Sequence, residues 1–216
     1  MPTLIVLAFF FLYACTNPQM GESPVVAPNL TEGNLANANS QALSSAGYFH
    51  KAVGAPISVD KGNIWISNFR KTYATRQAAE YSLQACEIKT ILNNPTCVGI
   101  SLYYALDGKG QEHILPIGTT QAGKALKAAD IVIQNGSIDW ATAWQWIAAH
   151  PGSVDAHFFG ANTFQRLLSD GTCKTIRTTF AINDAGSPQL LLTNANARTM
   201  NGFEDASFPC PPCHPI

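Results

Sequence analysis

Thr96-Cys-Val-Gly-Ile-Ser-Leu-Tyr-Tyr-Ala-Leu-Asp-Gly-Lys-Gly110 aligns without a gap on Thr172-Cys-Lys-Thr-Ile-Arg-Thr-Thr-Phe-Ala-Ile-Asn-Asp-Ala-Gly186. Thr, Cys, Ile, Ala and Gly recur identically, 76 residues apart, and self-similarity at a fixed spacing is the mark of a repeated structural unit. Inside each stretch every second residue is suited to one face of a strand: Val98, Ile100, Leu102, Tyr104 and Leu106, then Ile176, Thr178, Phe180 and Ile182. Asp107-Gly108-Lys109-Gly110 and Asn183-Asp184-Ala185-Gly186 supply turn chemistry, and second strands follow near 113–117 and 189–193. Each stretch therefore reads as a hairpin.

Upstream the two copies still correspond. Ile91-Leu92 lies over Leu167-Leu168 and, after a short gap, Ser58-Val59-Asp60 and Trp65 lie over Ser137-Ile138-Asp139 and Trp144. Ser58 or Asp60, and Ser137 or Asp139, can cap the free amides of a helix, after which Ile64, Trp65 and Phe69, or Trp144 and Ile147, recur at helical spacing. A second helix is expected over 77–93 and over 154–169, where Leu83, Ile88, Ile91 and Leu92, or Phe158, Phe159, Phe164, Leu167 and Leu168, form apolar stripes. Each unit is then helix, helix, hairpin, spanning 57–126 and 136–200. A lone hairpin is marginal in water, so the expectation is an α+β fold in which both hairpins merge into one antiparallel sheet of about four strands covered by helices, a single duplicated domain over 48–202.

Composition excludes some functions. Apolar residues make up 46% of the 216, enough for a core, while charged residues are only 12% and 13 basic side chains face 14 acidic ones. No Lys/Arg cluster exists to release counterions from phosphates, so nucleic acid is not an expected partner. The first segment, 1–14, holds the apolar run Leu4-Ile-Val-Leu-Ala-Phe-Phe-Phe-Leu-Tyr-Ala14, too short to span a bilayer as a helix and suited to the core of a signal peptide. Leu12-Tyr13-Ala14-Cys15 resembles a bacterial lipobox, which makes Cys15 the expected site of lipidation; ordinary signal cleavage nearby and an uncleaved anchor are the other readings of this segment. Thr16 after the Cys favours an outer-membrane destination under that resemblance. Residues 15–47 are rich in Asn, Ser, Pro, Gly and Ala and read as a flexible tether with a reach of about 30 Å.

Cys97-Val-Gly-Ile-Ser-Leu-Tyr-Tyr-Ala-Leu-Asp-Gly-Lys-Gly110, His157-Phe-Phe-Gly160 and the Cys-Pro-Pro-Cys ending at 210–213 resemble stretches of uncharacterised lipoproteins of Bacteroidota-type bacteria. The resemblance implies a cell-envelope location and assigns no activity or catalytic residue.

Several motifs invite a sharper reading. Gly118-Thr-Thr-Gln-Ala-Gly-Lys124-Ala125 matches a phosphate-binding loop except at its end, where Ala125 replaces the hydroxyl that would ligate magnesium, and nucleotide binding is set aside. Cys210 and Cys213, in the Cys/Pro-rich tail 203–216, have dithiol spacing; prolines at 209, 211, 212 and 215 leave no helix to activate a thiolate, so a structural disulfide or clasp is expected, with a redox pair and zinc held with His214 as the alternatives. Cys97 and Cys173 begin equivalent strands and are candidates for a disulfide across the two copies, leaving Cys86, opposite Asn162 in the alignment, as a buried thiol. Trp65 and Trp144 match and read as core, whereas Trp140 and Trp146 are candidates for a ligand-stacking surface. His150, Asp155 and His157 form the only cluster from which a hydrolase site is conceivable. No cofactor or metal is expected. The leading expectation is a lipid-tethered envelope domain with a binding or structural role toward an unknown protein or small ligand; the alternative is an envelope enzyme using Cys210 and Cys213 or the His150 cluster.

Overall fold

The computed structural model describes residues 48–74, 80–133, 136–152, 154–169, 171–196 and 202–205, and the backbone of 208–210. The signal segment 1–14, Cys15, the tether 15–47, Cys213 and His214 lie outside the described residues. The fold is α+β, and all of its strand pairs are antiparallel. In chain order the elements are β1 (Ala55–Ile57), α1 (Val59–Thr72), β2 (Glu80–Gln84), α2 (Ala85–Leu92), β3 (Cys97–Leu106), β4 (Glu112–Thr120), β5 (Asp130–Ile133) and β6 (Gly136–Asp139). They continue as α3 (Trp140–Ala149), β7 (Ala156–Gly160), α4 (Ala161–Leu168), β8 (Thr175–Ile182), β9 (Pro188–Asn194), β10 (Phe203–Asp205) and β11 (Phe208–Cys210).

The hairpins and first helices form where the local chemistry places them. Ser58 caps α1 by accepting from the Lys61 amide, and Asp139 caps α3 through the Thr142 amide at 3.0 Å and hydroxyl at 2.7 Å. The two hairpin turns match bond for bond. Asp107 Oδ1 accepts from the amides of Lys109 and Gln111, and Asn183 Oδ1 from those of Ala185 and Ser187. Gly110 and Gly186 both have φ of 77°, which only glycine adopts without strain.

Two expectations are corrected. The helices expected over 77–93 and 154–169 are each instead a strand followed by a shorter helix, β2 then α2 and β7 then α4. Every residue of β7 is buried, so its sequence shows no alternation and an apolar run of this kind cannot be told from a helix by period alone. Nor is there a single sheet of four strands. One sheet has the order β1-β10-β9-β8-β2, a second β11-β7-β3-β4, and β5 and β6 form a separate ribbon. Residues 203–205 and 208–210, assigned to the tail from sequence, thus lie in the two sheets.

β2 and β7 each pair with a hairpin distant in sequence. β2 runs against β8 with Glu80 opposite Thr179 and Gln84 opposite Thr175, while β7 runs against β3 with Ala156 opposite Tyr103 and Gly160 opposite Gly99. A shift of 76 residues converts the first pairing into the second. It likewise takes Ser101 opposite Ile117 into Arg177 opposite Thr193 within the hairpins.

Four layers result. The sheets face one another across a core of Ile100, Leu102, Tyr104, Ile114, Phe159, Ile176, Phe180, Leu190 and Leu192, with Ile88 of α2 and Phe164 of α4 closing it. Each such side chain, fully buried, contributes about 1.5–3 kcal/mol through apolar burial. On the outside, α1 covers the β8–β9 hairpin through Trp65 and Ile66 against Ala181 and Leu191, and α3 covers the β3–β4 hairpin through Ala143 and Ile147 in the cluster with Ala105 and Leu115.

Candidate functional site

The outer faces of the two sheets carry the candidate site, because equivalent positions there hold different chemistry. On the β11-β7-β3-β4 sheet Tyr103, Ile117, Ala156 and Phe158 are buried, and Phe49 and Val53 pack with them, Phe49 meeting Phe158 edge-on at 5.0 Å. The approach of that N-terminal segment depends on Gly160, where a Cβ would stand 2.3 Å from the Lys51 carbonyl oxygen; Gly99, directly opposite, leaves room for the Phe158 ring. With no side chain there, Gly160 donates its amide to Val53 at 2.8 Å and the segment lies against the sheet. The face is sealed.

At the 76-residue equivalents the other sheet has Thr179, Thr193, Glu80 and Ser82, and Arg177 stands where Ser101 is. These residues help form a polar groove of about 340 Å³ between α1 and the sheet, lined by Asn63, Ser67 and Arg70 from α1 and by Glu80, Arg177, Thr179 and Thr193 from the strands. Arg177 Nε lies 3.4 Å from Glu80 Oε2, both side chains more than 40% exposed.

A second opening lies beside β4. There Thr120 donates to Lys124 and Leu126 to Gly118, two rungs of an antiparallel pairing along the outer edge of β4. Pro116, farther along that edge, has no amide to offer a continued ladder, and a cleft of about 200 Å³ opens among Ile91, Pro116, Leu126, Val132 and Trp140. In the other sheet the equivalent position is Leu192, paired with Glu204 of β10. Arg166 of α4 holds that strand with a forked contact to the Glu204 carboxylate, and also donates to Thr163 Oγ1 and the Gly54 carbonyl.

The structure separates the residues proposed from sequence. Trp140 reaches the cleft, while Trp146 stacks on His113 at 4.9 Å; both are half-buried against the core. His150 and His157 do converge, but around the Tyr104 ring, His150 stacked at 5.4 Å and His157 edge-on at 5.7 Å. Tyr81 of β2 meets Phe180 edge-on at 6.0 Å in the corresponding register position, and His157 of β7 packs on Tyr104 in the same way. His157 has no exposed surface, and burial pushes its pKa down to about 4, so the ring is neutral near pH 7 and out of reach of a substrate. Asp155 acts elsewhere: its charge adds to burial in raising the Tyr103 pKa to about 12.

The cysteines are also redistributed. Cys97 and Cys173 are not bridged; each thiol is turned onto the carbonyl two residues along its own chain, Gly99 at 3.1 Å and Thr175 at 3.5 Å, in different sheets. Among the described residues no disulfide is formed, and Cys86 is half-buried rather than enclosed. Cys210 is placed by its backbone opposite Ala156, whereas the partner expected for it, Cys213, lies outside the described residues. The sequence from Gly118 to Ala125 is a strand end and tight turn that folds back to bridge Thr119 with Ala125, with no helix to receive a phosphate. Among the described residues no three metal-ligating side chains converge.

The groove was missed by sequence reasoning. Its only sequence signal is the replacement of Tyr103 and Ile117 by Thr179 and Thr193 in the alignment of the copies, together with an Arg in mid-strand. Compared with protein-family models, curated proteins and solved structures, the chain matches none.

Proposed function

We propose that the chain is a cell-envelope domain, tethered by a lipid on Cys15 and the linker 15–47 to the outer membrane, that binds a ligand rather than transforming one. In this reading the body is two diverged copies of one unit, β-α-β-α-β-β with an added strand, interleaved about an approximate two-fold axis. The recurrence of strand register, turn bonds and cysteine thiol contacts at a shift of 76 residues supports the duplication. Trp140 in the apolar cleft is compatible with the same role.

The single observation behind binding is the polar groove. One sheet fills its outer face with Tyr103, Ile117 and Phe158, and the other sheet holds Thr179, Thr193 and Ser82 there with Arg177 beside them. Packing alone favours apolar residues at such positions, so polar ones next to a concavity fit a recognition surface. Amide chemical-shift mapping of the mature chain against the soluble small-molecule and glycan fraction of a bacterial envelope tests it. Shifts confined to α1, β2, β8 and β9 are expected; a spectrum that does not change at any concentration contradicts the reading. Intact mass of the chain from its native envelope tests the anchor, with a fatty-acylated Cys15 expected.

A further inference from the structure

We infer that the groove beside α1 is an oxyanion site, which takes a ligand presenting a carboxylate or phosphate group; this rests on the binding reading above. Two arginines line one concavity from different elements, Arg70 from the last turn of α1 and Arg177 from the middle of β8. A guanidinium presents donors in a fixed planar fork that matches two oxygens of a carboxylate or phosphate. Thr179 and Thr193, each 4% exposed, bring hydroxyl-bearing side chains to the same groove from the strands, and Ser67 and Asn63 bring a hydroxyl and an amide from the helix. The charged lining residues are two arginines and one glutamate, a local excess of positive charge on a chain whose formal charge is −1.

Glu80 is the group a ligand would displace. Its carboxylate lies 3.4 Å from Arg177 Nε, but the side chains are 45% and 41% exposed, and an ion pair so open to water holds its partners weakly. A ligand oxyanion that also reaches Arg70 and the hydroxyls makes contacts that Glu80 alone does not. A second arginine gives the contrast: Arg166 is forked onto the largely buried Glu204 carboxylate and holds a strand, while Arg177 is left with an exposed partner.

The experiment is a titration of the mature chain with sodium phosphate, with sodium succinate and with glucose, at constant ionic strength set by chloride, read by amide chemical shifts. Saturating shifts at the groove with phosphate or with succinate are expected, and which of the two saturates assigns the source of the oxyanion. Arg177→Gln should weaken that binding at least about tenfold. Arg177→Lys, which keeps the charge and loses the fork, should fall between them, and Glu80→Gln should tighten binding severalfold by removing the competing carboxylate. Thermal unfolding of each variant verifies that it is folded. The inference is overturned if neither anion saturates, if Arg177→Gln binds as the parent does, or if Glu80→Gln weakens binding. Should the anions fail while envelope extract still shifts groove amides, the ligand class falls and the binding reading stands; if both fail, both fall.

Discussion

The outer faces of the two sheets share a strand register and differ in what covers them. Where a helix lies on the hairpin they are alike: Ala105 and Leu115 under α3, and Ala181 and Leu191 under α1, are all without exposed surface. Beyond the helix they part. Tyr103, Ile117 and Phe158 continue the apolar face on one side, where Gly99 leaves room for the Phe158 ring and Gly160 lets the N-terminal segment close over it. On the other side Thr175 stands opposite Gln84 in place of the glycines, and Arg177, Thr179 and Thr193 line an open groove. The positions under the helix thus hold the same packing in both sheets, while the remaining outer face is apolar in one and polar in the other.

The largest expected contrast comes from one equivalent pair of positions. Phe158→Ala should destabilise the chain by about 4 kcal/mol, because it empties a fully buried ring site, whereas Ser82→Ala should change stability by less than about 0.5 kcal/mol. Urea unfolding of the two variants measures the difference, and similar losses would mean that the faces are not sealed and open as described.

The next effect is a pH dependence that β7 has and β2 lacks. His157 holds the register position in β7 that Tyr81 holds in β2, and its pKa is about 4 when folded against an ordinary value of 6.5. The unfolded chain therefore binds more protons between these values, so this residue's contribution is intact above about pH 6.5 and is lost as pH falls toward 4, by about 3 kcal/mol in all. His157→Phe should flatten that part of the stability profile, and a profile unchanged by the substitution would place the ring in contact with solvent.

Smaller effects distinguish the two regions beside the hairpins. Arg166→Met leaves the Glu204 carboxylate largely buried without its forked partner and should cost about 2 kcal/mol, short of the fully buried case because the guanidinium is partly in water. Hydrogen exchange should then rise first in β10. Pro116→Leu restores an amide at the position equivalent to Leu192 and should shift stability by no more than about 1 kcal/mol while allowing the ladder beyond Gly118–Leu126 to extend. New protection near Ala128 and a narrower cleft at Trp140 are the observations that would bear this out.

The legible parts of the fold were those with local causes. The hairpins follow from alternation and from Asp107 and Asn183 at the turns, and the first helices from caps at Ser58 and Asp139. β2 and β7 were hidden because they exist through pairing with strands distant in sequence, and in β7 both faces are buried, which erases the alternation that marks a strand. β1 and β10 are three residues each and pair across most of the chain, from Ala55 to Asp205. The groove was illegible for a related reason: Thr179 and Thr193 look like ordinary strand residues until the register shows them facing outward beside Arg177, opposite in character to Tyr103 and Ile117. Apolar and polar substitutions were visible in the alignment, but only the tertiary arrangement says which face is covered.

The most direct test of the two-copy account is an assigned nuclear Overhauser spectrum of the mature chain, read for cross-strand contacts at Ser82–Arg177 and at Phe158–Ser101. The account expects both pairs to be close, with the same stagger along β2–β8 and β7–β3. Helical contacts through 80–84, or a β7 register that differs from that of β2, would contradict it.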